Sequence, residues 1–192
     1  MQTHIFSALN EARTTLDAFV NDRTITLIGQ AVDTISTAFN KGNKIISCGN
    51  GGSMCDAMHF AEELSGRDRK DRRALPAIAI SDPAHISCVA NDYGYEFIFS
   101  RFVEAFGIDG DVLLAISTSG NSPNVLRASE AAKARNMKVI ALLGRDGGKL
   151  ATIADLPIIV PGETTDRMQE LHIKTIHIMI ECIERTMFPE LY

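Results

Sequence analysis

Apolar positions recur at two different periods along this chain, and the change of period divides it into elements. Ile5, Leu9, Leu16 and Phe19 fall on one side of a helix. Ile25, Leu27, Ile28, Ala31, Val32, Ile35 and Phe39 do the same for a second helix, which Gly42 ends. A short β-rich run, Ile45 to Cys48, then stops at Gly49-Asn50-Gly51-Gly52, and Ser53 is expected to cap the helix that follows. In that helix Met54, Ala57, Met58 and Ala61 mark the expected buried face, and Asp56 suits the positive helix start.

Four further apolar runs read as strands: Pro76–Ile80, Gly110–Ile116, Lys138–Leu143 and Leu156–Val160. Between them, Ser81-Asp82-Pro83 signals a helix start and Asn91 to Gly94 a loop. Phe97, Phe99, Phe102, Val103 and Phe106 form a helix before Gly107. Pro123 to Arg135 is a helix with proline in its first turn, Gly144 to Ala154 a loop with a short helix, and Thr165 to Met187 a long final helix. Short apolar strands alternating with helices mean a parallel sheet covered on both faces. The expected fold is α/β: a three-layer α/β/α sandwich on a five-stranded parallel sheet with flavodoxin-like order. Residues 1–192 are expected to form a single domain, with 1–41 as extra N-terminal helices. The first helix lies outside the alternation, so it either covers its own core or contacts another subunit.

Composition narrows the function classes. With 45% hydrophobic and 22% charged residues the chain has ordinary globular chemistry. A net charge of -5 argues against a broad nucleic-acid footprint. Arg67 to Arg73 is a basic run that could attract a phosphorylated substrate or form a solvated loop. The first residues lack the apolar core of a signal peptide, and no stretch approaches the roughly 20 apolar residues of a membrane span. A soluble cytoplasmic protein is expected. Cys48, Cys55, Cys88 and Cys182 make no C-x-x-C pair, sit mostly among apolar neighbours and read as reduced, buried thiols rather than disulfides or a zinc cluster.

Ligands of open parallel sheets bind beyond the strands' carboxyl ends, where the winding reverses. Gly49 to Ser53 and Ser117 to Ser122 follow the two strands that flank that point. Ser117-Thr118-Ser119-Gly120-Asn121-Ser122 places hydroxyls and backbone N–H groups at a helix start, which suits a phosphate ester. The alternative is that these residues only form turns and caps. The Gly49 loop has no third glycine of the dinucleotide fingerprint, and no G-x-x-x-x-G-K-[ST] occurs.

Four segments, C-G-N-G-G-S, H-F-A-E-E-L, S-T-S-G-N-S and Q-E-x-H-I-x-x-x-H, resemble the sugar isomerase (SIS) domain, and within it the phosphoheptose isomerases. The resemblance spans nearly the whole chain. It implies an enzyme that converts D-sedoheptulose 7-phosphate to D-glycero-D-manno-heptose 7-phosphate, the entry to ADP-heptose for lipopolysaccharide core. Moving a carbonyl between C1 and C2 needs a base for a carbon-bound proton, giving an enediol, and an acid for the oxygens. The resemblance assigns these to Glu63 and His177. On residues alone, Glu63 reads equally as an exposed helix charge like Glu62, and His177 as a core histidine between Ile176 and Ile178.

The resemblance further implies that Asn50, Gly51, Gly52 and Ser53 contact substrate, with Asn91 and Asp92 facing the sugar hydroxyls. Ser117, Thr118, Ser119 and Ser122 would hold the phosphate, and Gln169 would also touch substrate. Asp166 and Arg167 are secondary candidates. His59, Glu63, Gln169 and His177 would hold one zinc ion, and the i, i+4 spacing of His59 and Glu63 suits nitrogen and oxygen ligands. Two difficulties attach to this set. Eight residues along a helix separate Gln169 from His177 by about 12 Å and roughly 80° of rotation, so ideal geometry does not converge them. Glu63, as ligand and base together, has two jobs that compete for its lone pairs. His85 and His172 read as structural. A homotetramer with sites shared between subunits is implied as well. The alternative function is a non-catalytic SIS protein that binds the replication initiator; such relatives lack the equivalents of Glu63 and His177. A sugar-phosphate sensor is a third reading, but such modules come with a DNA-binding domain for which the chain leaves no room.

Overall fold

The computed structural model describes residues 1–192. Two helices, α1 (Gln2–Phe19) and α2 (Asp22–Asn40), precede a strand–helix alternation: β1 (Ile45–Gly49), α3 (Gly52–Ser65), β2 (Ala77–Ala79), α4 (Pro83–Asp92), α5 (Ser100–Phe106), β3 (Val112–Ser117), α6 (Pro123–Ala134), β4 (Lys138–Gly144), α7 (Leu150–Ile153), β5 (Leu156–Val160) and α8 (Thr165–Met187). The five strands pair in parallel in the order β2-β1-β3-β4-β5. This is the expected flavodoxin-like order, with the reversal between β1 and β3.

Alternation along the strands builds two cores. Ile45, Val112, Leu114, Ile116, Ile140 and Leu142 point to one face and pack with α2, α3 and α8. Ile46, Cys48, Leu113, Ala115, Val139 and Ala141 point to the other and pack with α4, α5 and α6. Period-two strands that are apolar at every position are what a sheet covered on both sides requires.

Two helix starts are capped by the side chains their sequence offers. The Asn21 side chain accepts the Thr24 amide at 3.0 Å, and that of Asp82 accepts the His85 amide at 2.7 Å with Pro83 opening the helix. Ser53, by contrast, is not a cap. The helix α3 starts at Gly52 after Gly51, whose φ of +56° only glycine adopts cheaply, and Ser53 lies buried in the first turn. The helix is thereby rotated from the expected setting: Ser53, Ala57, Phe60, Ala61 and Leu64 face inward, Met54 is half-buried, and Met58 is 46% exposed. Close approach of β1 decides this, because a Cβ on Gly49 would collide with the Ser53 backbone, and the Ser47 hydroxyl donates to the Ala57 carbonyl at 2.8 Å.

Of the four cysteines expected to be buried only Cys48 is, since Cys55 and Cys88 lie on exposed helix faces and Cys182 is half-buried. Two boundaries also move. Asn91 and Asp92, expected in a loop, finish α4, and the phenylalanine-rich helix begins only at Ser100, after a 3-10 turn at Tyr95–Phe97. The basic run is an exposed loop at most positions, with one arginine drawn inside. Arg72 is fully buried on Glu184 of α8, Arg69 pairs with Glu181, and Arg73 lies over the Phe188 ring.

Candidate active site

The carboxyl ends of β1, β3 and β4 and the first turns of α8 enclose the candidate site. A Cβ on Gly144 would meet both the Thr118 carbonyl and the Met168 sulfur, and one on Gly52 would lie 2.7–3.0 Å from the Gln169 amide. These glycines let α8 lie directly across the strand ends.

The serine loop is built as a cradle. The Ser117 hydroxyl lies 3.2 Å from that of Ser122 and 3.4 Å from that of Ser119, and Gly120, at φ +60°, packs on the Gly147 carbonyl. Asn121 fixes the loop's outer side, donating to the Ser119 carbonyl at 2.8 Å and accepting the Lys149 amide at 3.1 Å. Ser117 is buried while Thr118, Ser119 and Ser122 remain partly open, at the start of α6. Hydroxyls and free N–H groups at a helix start favour an anion there.

A reciprocal amide pair joins this loop to the glycine loop. The Asn50 amide donates to the Asn124 Oδ1 at 2.9 Å, the Asn124 amide donates back at 2.8 Å, and the Tyr95 hydroxyl reaches the Asn50 Oδ1 at 3.2 Å. Neither Asn124 nor Tyr95 was among the sequence candidates. The position of Asn124 just after Pro123, buried at a helix start beside the serine loop, is the signal that could have found it.

On the helices, three chemical side chains converge. His59, Glu63 and His177 offer ligand atoms all within 4.8 Å of one another. The His59 and His177 rings meet edge to face at 4.8 Å, and the His59 Nε2 lies 3.4 Å from the Glu63 carboxylate. Glu63 is not an exposed helix charge: its side chain is 16% exposed against 65% for Glu62. Nor is His177 a core histidine, since it is exposed while Ile176 is buried. Burial pushes the Glu63 carboxyl above its ordinary value, the Glu62 and Asp68 carboxylates add to this, and His59 and His177 oppose it. The nearby Asp56 carboxyl is pushed up to about 6 by burial against the pull of His59, and its Oδ2 is buried without a partner.

Gln169 stands apart from that cluster. The helix α8 is regular from Thr165, so no irregular start rotates it toward His177. Instead α3 and α8 run side by side in the same sense, Gln169 against Gly52 and His177 against His59, two turns further on. Asn91 and Asp92 are exposed at the end of α4 and bond to each other at 2.8 Å; neither has a hydrogen bond to another candidate. The segment after them is held at the site through Tyr95. Asp166 and Arg167 serve the N-terminal helix: Arg167 pairs with Asp166 and Glu170 and donates to the Ala8 carbonyl at 3.2 Å. His85 bonds the Ile98 carbonyl at 2.8 Å and stacks edge-on against Phe102, while His172 is buried on the Leu143 carbonyl at 2.9 Å. Both are structural.

Residues 9–144 match the family model described as the SIS domain. A phosphoheptose isomerase from Edwardsiella ictaluri is 59% identical over 188 residues, covering 97% of each chain. The chain belongs to the SIS domain family and, within it, to the phosphoheptose isomerases. Solved structures agree with that placement. The phosphoheptose isomerase from Neisseria gonorrhoeae superposes with a TM-score of 0.90 at 40% identity over 95% of this chain and 98% of its own. The one from Francisella tularensis does so with a TM-score of 0.92 at 35% identity, over 96% and 98%.

Proposed function

We propose that the chain converts D-sedoheptulose 7-phosphate to D-glycero-D-manno-heptose 7-phosphate, with Glu63 as the base and His177 as the acid. The observation that carries this reading is the half-enclosed Glu63 carboxylate, raised above its ordinary value and within 4.8 Å of a His177 nitrogen, beside a hydroxyl-lined anion cradle. A raised carboxyl is a better base near neutral pH. The serine loop would hold the phosphate, Asn50 and the glycine loop the chain of hydroxyls, and Asn91 and Asp92 the outer sugar face. Glu63 would then remove a C1 proton from the ketose and return it at C2, while His177 moves a proton between O1 and O2. Chain assignments of this kind favour the isomerase over a binding-only relative, because both proton-handling residues are present and adjacent.

The donor set also fits a zinc ion. The His59 Nε2 is buried without a hydrogen bond and faces the Glu63 carboxylate and the His177 ring, a nitrogen and oxygen set that zinc accepts. His59, Glu63 and His177 would hold it, with Gln169 as the fourth ligand only if its side chain reaches over from Gly52. When bound, zinc would polarise the sugar carbonyl. A homotetramer and a cytoplasmic location belong to the same reading. No helix is long and apolar enough to cross a membrane. The assembly is supported by exposed Ile5, Phe6 and Leu9 on α1 and by an apolar groove of about 390 Å³ between α1, α2 and α8.

The test is NMR of sedoheptulose 7-phosphate incubated with the protein in heavy water, with zinc or with a chelator. An aldoheptose 7-phosphate carrying deuterium at C2 is expected, and Glu63→Gln is expected to lower kcat by about 10³. Undiminished turnover by Glu63→Gln would remove the mechanism. Chelation that leaves the rate unchanged would assign the cluster to proton transfer alone.

A further inference from the structure

The basic run between α3 and β2 supplies a buried clamp whose position relates to the site. Arg72 and Glu184 have no solvent-exposed side-chain area, with the Arg72 Nε 2.8 Å from the Glu184 carboxylate. The guanidinium also donates to the carbonyls of Glu63 at 2.7 Å, Leu64 at 2.8 Å and Gly66 at 2.9 Å. These are the carbonyls that the end of a helix leaves unpaired. The second Glu184 oxygen accepts the Tyr192 hydroxyl at 2.7 Å. Burial, which pushes the Glu184 carboxyl up, is outweighed by the bonds from Tyr192 and Arg72, and it stays below its ordinary value. Glu184 therefore remains the charged partner of Arg72.

Two facts link this group to chemistry. Glu63 is gripped through its own backbone carbonyl, one residue's width from the carboxylate. Glu184 lies two turns beyond His177 on the same helix. One ionic group thus bridges the turn of α3 that carries Glu63 and the helix that carries His177. A buried ion pair is weak support for folding, because desolvation offsets its attraction and apolar residues of equal volume do as well. What an apolar pair does not supply is direction: a planar fork that holds the carbonyls at the end of α3 and one carboxylate of α8 permits one register of α3 against α8.

We infer that Arg72, seated by Glu184 and Tyr192, is a positioning residue that sets the Glu63 carboxylate against His177. This rests on the reading of Glu63 and His177 as the proton-transfer pair. The test compares Arg72→Lys, Tyr192→Phe, the double change Arg72→Met with Glu184→Leu, and Glu63→Gln. Melting temperature is recorded for each, and kcat and KM for sedoheptulose 7-phosphate are measured per folded molecule at saturating zinc. The double variant is expected to fold, to keep KM within about twofold, and to lose kcat by about 10- to 100-fold, the scale of a misplacement of about 1 Å. Arg72→Lys is expected to recover part of that loss, and Tyr192→Phe to lower kcat about threefold. Wild-type kcat in the double variant, or a loss confined to KM, would make the clamp a folding element only and overturn the inference. Should the double variant fail to fold, unchanged kcat in both Arg72→Lys and Tyr192→Phe overturns it equally. Retained turnover in Glu63→Gln would instead defeat the underlying assignment, whatever the clamp variants do.

Discussion

A single glycine separates the needs of the site from those of the fold. Gly52 lies in the first turn of α3 with ordinary helical backbone, so alanine there meets no backbone strain and is the better helix former by up to about 1 kcal/mol. Its Cβ, however, would press on the Gln169 amide, a flexible end that swings aside. Gly52→Ala is therefore expected to leave the melting temperature unchanged or slightly raised while kcat/KM falls about tenfold, a loss of about 1.4 kcal/mol in transition-state binding. Calorimetry and steady-state kinetics on one preparation check both halves. Unaltered activity would mean that Gln169 has no part in substrate or metal binding. At this scale the sequence was legible only with help from family resemblance. The chemistry of Glu63 and His177 is invisible in their neighbours, since Glu62 and Glu63 look alike in the string, and the turn set by Gly49 and Gly51 decides which one faces inward. Gln169 shows the converse. Helical arithmetic sets it about 12 Å from His177 along α8, and the structure keeps that spacing, placing each residue against a different turn of α3.

Among the elements, the strands and their order were readable because nothing competes with the pattern. Runs such as VLLAI and VIALL, apolar at successive positions between helices, have one comfortable home, the middle of a parallel sheet. Local expectation failed where tertiary contacts outvote it, as at Ser53, at Asn91 and Asp92, and at Arg72 within an otherwise exposed basic run. Nothing in RDRKDRR says that its last arginine but one will be drawn inside, because the carboxylate that draws it lies on α8, over a hundred residues away. The two binding loops show the same dependence. Each is legible alone, yet the link between them, the Asn50 and Asn124 amide pair, spans 74 residues. Removing one partner leaves the other amide half-satisfied, at a cost of about 1–3 kcal/mol. Asn124→Ala is accordingly expected to lower stability by that amount and to raise KM for the sugar phosphate by about tenfold, with a smaller change in kcat, because the loops lose their mutual spacing rather than the proton-transfer pair. Denaturant titration and a substrate series would check this. A KM that stays put would show that the phosphate cradle is set by the Ser117 and Asn121 contacts alone.

For the molecule as a whole, α8 is the piece that unites the parts. It lies across the strand ends with Gln169 and His177, packs Ile176, Met179, Ile180 and Ile183 into the core of one sheet face, and ends in the Glu184 clamp. Its pin to the sheet is His172, fully buried, donating through Nε2 to the Leu143 carbonyl while Nδ1 has no partner. Burial pulls this imidazole down to about 4, against the smaller lift of that hydrogen bond. The folded protein thus holds His172 neutral, whereas the unfolded chain takes up its proton near pH 6.5. Stability from this group is complete above about pH 6.5 and is lost as the pH falls toward about 4, because in that window only the unfolded state binds the proton. At about 1.4 kcal/mol per pH unit the loss reaches about 3 kcal/mol, a large share of the 5–15 kcal/mol of a typical domain. Carboxylates such as Asp111, Asp155 and Glu184, held low by their partners against burial, weaken the fold in acid with the same sign. The histidine's part is therefore read as a difference. His172→Gln keeps a donor for Leu143 and has no proton to gain, so urea unfolding of both proteins from pH 7 to pH 4 should show the wild type losing about 3 kcal/mol more than the variant. Parallel acid profiles would mean that α8 yields to solvent at its middle before the protein unfolds, and that the helix uniting the site with the sheet is the first part to open.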